Sequence, residues 1–342
     1  MRDRVLLCLI VILFSFSCAR KTDPFHDGTL IEVSIDKTHR VCCDSLDCVL
    51  LGSSNVFSTI DDVLFKDSIV IVKTNNAIYS FDINSGHFRT QMSECGRGPG
   101  EYIQAWDIGL MRENMFIYDI DGRNCLIYDM NGTYINTLQL PVESTNAPFQ
   151  SLIPIRDGGF IGKRVFGVSG TPELSLYDAK LNYITDIGDN KVTSGIKLWR
   201  QFFSGADNDI LYVRYFSDVI WSIENGDITA KYNVSFGNKT FVEYDDMADE
   251  YECIDYLEKH KKRVAYGVCN VYESSKYLAF QFFFNDEQFM SVYDKEEKST
   301  EVYNFISTNG SVSQLYFTDG SIYVFMDTLD NKEYLYRFDI QS

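Results

Sequence analysis

Histidine is nearly missing from this chain, and that absence closes several routes to catalysis. Only four occur in 342 residues. They are His26 and His39 near the N-terminus, His87 beside a turn, and His260 in a helical stretch. No histidine–acid–nucleophile trio can be assembled from them. The chain also lacks a G-x-S-x-G elbow and a C-x-x-C pair, so neither a serine-hydrolase nucleophile nor a common zinc site is written in it. Proline is scarce, at six. Positive charge is in short supply: 31 Lys and Arg face 49 Asp and Glu, a formal net charge of -18. Phosphate backbones repel such a chain, so nucleic acid is not an expected partner.

What is present points to strands. Hydrophobic residues make up 45% and aromatics 15%, with 22 Tyr and 25 Phe, a composition that suits pleated, half-buried surfaces. The first residues are an address rather than fold. Met1 to Arg4 carry positive charge, Val5 to Phe16 are almost wholly apolar, and Ser17-Cys18 follow. This order predicts a signal peptide over 1–17, too short to span a bilayer comfortably. The small residue before Cys18 predicts lipidation of that cysteine. Residues 18–28 then form a lipid-anchored linker, and the membrane is a partner through acyl chains. Setting aside Cys8 and Cys18 leaves an odd number of cysteines. Cys42, Cys43 and Cys48 cluster, and they are read as a disulfide or buried thiols rather than a metal site.

A repeat organises the rest. A short β-run, an aromatic or apolar residue, an acid and a turn recur as "AIYSFDINSG", "CLIYDMNG", "LSLYDAKLN", "VIWSIENG", "FMSVYDKEE" and "EYLYRFDI". The acids are Asp82, Asp129, Asp178, Glu224, Asp294 and Asp339. They fall about 45–50 residues apart with one longer interval, the period of a propeller blade. Flanking β-runs bring each unit to four strands, and the last unit stops at its third. The stretch "TLIEVSID", Thr29 to Asp36, is assigned as the missing strand, closing the ring because an open ring leaves two bare edges. The fold class is therefore all-β: a six-bladed β-propeller over 29–342, its last blade closed by an N-terminal strand. The long interval predicts one helical insertion between blades four and five, at about 244–264. Its start is acidic and its end basic, which suits the helix dipole. Met247, Tyr251, Ile254 and Leu257 fall on one side at helical spacing.

The stretch from Gly96 to Leu140, opening with "GRGPGEY", resembles an NHL-like propeller repeat. As a whole the chain resembles six-bladed β-propeller lipoproteins of Bacteroidetes that have no assigned function, the G-x-G-P-G-E-[YF] token being the most specific match. The resemblance implies the fold and an envelope location, and no catalytic residues.

The glycines of "GRGPGEY" raise the question of a phosphate cradle. A strand-like "YIQAWDIG" follows rather than a helix, and no Lys-Ser/Thr is present, so the phosphate reading fails. Corner geometry is expected instead, braced by Arg97 and Glu101. This corner and the loop "DIDGRN" should be neighbours on one face of the ring. Candidate ligand-binding residues on that face are Arg97, Glu101, Asp119, Arg123, Arg164, Arg214 and Tyr215, with Lys73 and Lys163 in equivalent loops. The expected function is a non-enzymatic scaffold binding a glycan, peptide or protein. One alternative is a hydrolase or lyase holding a divalent cation through Asp119 and Asn124, the only cofactor entertained. Another is a structural subunit of an envelope complex.

Overall fold

A computed structural model of the protein describes residues 28–52, 60–140, 149–155, 158–164, 173–188, 198–206, 209–224, 226–241, 250–328 and 332–340. The signal segment and Cys18 lie outside them.

Six sheets follow one another along the chain. Blade one is Ile60–Lys66, Ile69–Thr74, Ala77–Asp82 and Phe88–Glu94. Blade two is Ala105–Met111, Asn114–Asp119, Asn124–Asp129 and Tyr134–Gln139. Blade three is Phe149–Pro154, Phe160–Arg164, Leu174–Tyr177 and Tyr183–Ile187. Blade four is Phe202–Ser204, Ile210–Val213, Val219–Glu224 and Asp227–Ser235. Blade five is Tyr266–Glu273, Tyr277–Phe284, Glu287–Asp294 and Ser299–Ile306. Blade six supplies Gly310–Thr318, Ser321–Thr328 and Glu333–Asp339.

Within each blade consecutive strands pair antiparallel. First strands touch between blades one and two, two and three, four and five, and five and six, and the Gln314 amide of blade six donates to the Ile60 carbonyl of blade one at 2.8 Å. Second strands are sandwiched between blades: every residue of Ile69–Thr74 is buried, as are Met115 to Asp119. A strand buried on both faces must be apolar on both, hence "IVIV" and "MFIY" rather than an alternating pattern. Fourth strands are the outer edges, and Tyr134–Gln139 has no fully buried residue.

The repeated acid has a local job. One carboxylate oxygen of Asp82 accepts the Asn84 and Ser85 amides. That of Asp129 accepts Asn131 and Thr133, that of Asp178 accepts Lys180 and Asn182, and that of Asp294 accepts Glu296 and Glu297. Each closes the turn between third and fourth strands, an Asx turn repeated at blade period. Asp339 ends its strand by accepting Ser321 Oγ and Arg337 Nε instead.

The ring is closed from the N-terminal side, but by a different segment from the one the sequence suggested. Thr29–Glu32 lies parallel on the outer strand of blade four. His39–Cys42 lies parallel on the outer strand of blade five. The closing strand is Cys48–Leu50, antiparallel to Tyr334–Tyr336 in blade six. Residues 28–50 thus run as a belt over three consecutive blades. Ile31 and Val33 are buried against the shared core of blades four and five, so their apolar character does not distinguish a blade-completing strand from an added one.

The helix spans Glu250–His260, between blades four and five. Its inward face is Cys253, Ile254, Tyr256 and Leu257, packed on Tyr215, Phe216, Phe241 and Trp199. Cys253, fully buried, is the centre of that face. Met247 and the Tyr251 side chain lie outside the described residues. The cysteines from Cys42 onward are free thiols in the structure, with Cys43, Cys125, Cys253 and Cys269 buried.

Candidate functional site

The corner "GRGPGEY" is a self-braced loop. Glu101 Oε2 accepts the Gly98 amide at 2.6 Å, and the Gly96 amide donates to the Tyr102 carbonyl. A methyl group on Gly96 would sit 1.9 Å from Glu101 Oε2, and one on Gly98 2.9 Å from its Cδ. The glycines therefore make room for this carboxylate. Gly100, at φ +80, takes a backbone shape that side chains disfavour. Arg97 is exposed.

The expected neighbourhood of this corner with "DIDGRN" is present. Asp119, 1% exposed, accepts the amides of Ile103 and Gln104 at 2.9 Å each and of Gly122 at 3.0 Å. Three backbone donors occupy both oxygens of this carboxylate, which fixes the entry of the chain into blade two. Asn124 donates to the Gly122 carbonyl. Arg123 is exposed on the same turn at φ +52.

Between blades three and four lies a buried charged group. Arg214 meets Glu173 through Nε and Nη2, at 2.8 Å for the shorter contact. Its guanidinium lies 4.7 Å from the Trp221 ring. Burial opposes the charge on Glu173, but Arg214, Lys163 and the Tyr212 hydroxyl outweigh it and hold the carboxyl below its ordinary range. Lys163 donates to Gln201 and lies over the Tyr215 ring at 5.1 Å. Tyr215 in turn donates to the Trp199 carbonyl. Arg164 ends its strand, and its side chain lies outside what is described.

The central opening is built mostly from other residues. A cavity of about 500 Å³ is lined by Asp61, Asp62, Lys73, Gln104, Trp106, Trp199, Arg200 and Gln314, among others. These come from the first strands of blades one, two and six, the loop after Lys73, and the segment entering blade four. This is the face carrying the connections between blades. Lys73 pairs with Asp61 at 3.1 Å. Arg200 reaches Asp62 at 2.6 Å and the Ile108 carbonyl at 2.9 Å, joining segments 138 and 92 residues away. Burial works against its charge, but Asp62 more than compensates and raises the guanidinium above its ordinary pKa.

Below Arg200 lies a second cavity of about 310 Å³, lined by first strands of all six blades, including Asp107, Phe202, Glu273 and Tyr316. Arg200 lines both spaces and stands as a plug between mouth and shaft.

Of the residues singled out from sequence, Lys73 lines the mouth. Asp119 fixes the backbone of Gln104, and Tyr215 fixes that of Trp199, so these two act one layer behind it. Glu101 braces its own corner, Arg97 and Arg123 are exposed on the loop face, and Arg214 is spent on Glu173. Asp61, Asp62 and Arg200 were missed. No local motif marks them, because their partnership exists only once the ring has formed.

A search of curated proteins found no significant match. Among solved structures, a Bacteroides fragilis protein described as exported superposes with a TM-score of 0.73 at 15% identity, over 92% of this chain and 100% of that one. A member of the DUF4221 family from Bacteroides vulgatus superposes with a TM-score of 0.56 at 11% identity, over 86% of this chain and 96% of that one. At such identities the likeness concerns fold alone. Residues 52–341 match the model of a family known as a domain of unknown function, DUF4934. That match takes in all six blades except the closing strand, and the chain belongs to this family.

Proposed function

We propose that the protein is an envelope lipoprotein, anchored through Cys18, whose propeller binds a ligand at the channel mouth without transforming it. The observation that carries the binding reading is the mouth itself. A polar hollow of about 500 Å³ lies within the size range of small-molecule sites. Its floor is made of ion pairs rather than bare acids or bases. Lys73 is matched to Asp61 and Arg200 to Asp62, an arrangement that positions hydrogen-bonding groups and, among the described lining residues, leaves no isolated general base. Support for the address comes from the order of charged, apolar and small residues before Cys18 and from the structural likeness to a protein described as exported.

Anchoring is tested by expressing the full chain and Cys18→Ser in a bacterium that lipidates exported proteins, fed an alkyne-bearing palmitate. Label and detergent-phase partitioning are expected in the first and absent from the second. Equal labelling of both, or of neither, overturns the anchor.

A further inference from the structure

We propose that the mouth recognises a neutral carbohydrate, one or two sugar rings deep, through Asp61, Lys73, Gln104 and Arg200. This rests on the reading of the mouth as a binding site and names its ligand class. Two properties of the lining lead there.

The first is charge. Among the described residues, the titratable groups lining the mouth are Asp61, Asp62, Lys73 and Arg200, two of each sign, already joined as pairs. A ligand with net charge would have to break a pair to gain one. That leaves a partly buried charge without its partner, which costs more than a surface contact returns. A neutral ligand leaves both pairs intact.

The second is unspent hydrogen-bonding capacity of both kinds. Lys73 Nζ, with three donors, gives one to Asp61. Arg200 spends Nε and Nη2 on Asp62 and Ile108. Among the described residues its Nη1 donors meet no protein acceptor. Asp61 Oδ1 and the side-chain amide of Gln104 are likewise uncommitted among the described residues. Donors and acceptors alternate around one hollow, and each cation is flanked by a carboxylate. A hydroxyl group both donates and accepts, and a sugar presents several at fixed spacing, so it can use both sides of each pair at once. Trp106 also lines the hollow, partly buried against the core of blades two and three with its indole N–H committed to the Gln150 carbonyl.

The test is calorimetric titration of the folded, signal-free chain with three sets of probes. The first is neutral mono- and disaccharides of glucose, galactose, mannose and N-acetylglucosamine. The second is glucuronic and galacturonic acids. The third is free amino acids and dialanine. Lys73→Met and Gln104→Ala, both away from the Arg200 plug, are measured beside the parent, with thermal melts to confirm folding. Binding of at least one neutral saccharide, weakened about tenfold or more in both variants, is the expected result. If only the uronic acids, amino acids or dialanine bind, and the variants weaken that binding, the mouth stands as a site and the carbohydrate assignment falls. If no probe binds, or binding ignores both substitutions, the assignment and the mouth reading fall together.

Discussion

Glu101 keeps its place because Gly96 and Gly98 have no side chains. An alanine at 96 would meet the carboxylate at 1.9 Å, so Glu101 must leave and surrender its bond to the Gly98 amide. Gly96→Ala is expected to destabilise by about 1–3 kcal/mol, and Glu101→Ala by a similar amount. Together they should cost much less than the sum, because the second change removes what the first collides with. Urea denaturation of the four proteins measures this coupling, and strict additivity would refute the brace. Glu333 offers a contrasting case. It is 6% exposed, and its Oε2 has no partner among the described residues. Burial first, then the hydrogen bond and charge of Asp327, push its pKa from 4.5 up to about 9. The folded protein thus holds a proton that unfolding releases. This contribution to stability is whole below pH 4.5 and drains away as pH climbs towards 9. Glu333→Gln, which cannot ionise, should flatten the decline between pH 5 and pH 8 in denaturation curves. An unchanged slope would mean that the carboxyl is ordinary.

At the scale of elements, the belt separates two jobs that sequence alone merged. Thr29–Glu32 and His39–Cys42 thicken blades four and five, whereas Cys48–Leu50 completes blade six. A chain lacking residues 28–46 should still fold and melt cooperatively, weakened by several kcal/mol because Ile31 and Val33 lose their burial. A chain lacking 28–51 should show no cooperative transition. Circular dichroism melts of both decide the matter, and the opposite ranking would return closure to the earlier strand. The contrast also shows what can be read from residues. The blades were legible because each carries its own turn chemistry: Asp82, Asp129, Asp178 and Asp294 satisfy amides within four residues of themselves. The belt was legible as strands but not as to partner, since apolar residues at Ile31 or Val49 suit either edge. The mouth was legible only at Lys73. Asp62 and Arg200 meet across 138 residues, and nothing near either one announces the other.

Over the whole molecule, the belt makes the ring unequal. Blades four and five have their outer strands covered, while those of blades one to three pair with no further strand among the described residues. Two of these outer strands show apolar residues: Tyr134 and Ile135 are 38% and 51% exposed, Tyr183 and Ile184 52% and 54%. Amide hydrogen exchange should follow this division. Protection is expected to be highest along Asn233–Ser235 and Tyr303–Ile306, where the belt pairs, and lowest along Tyr134–Gln139 and Tyr183–Ile187. Equal protection across all outer strands would show that the belt adds no local stability.

Closure also sets an order in time. Cys48–Leu50 is made before any of the six blades, and its partner Tyr334–Tyr336 lies beyond five complete blades and two strands of the sixth. However early the individual blades form, no molecule can become a ring until Tyr334–Tyr336 has been made. The early strand must therefore remain unpaired and unaggregated while every other blade is built.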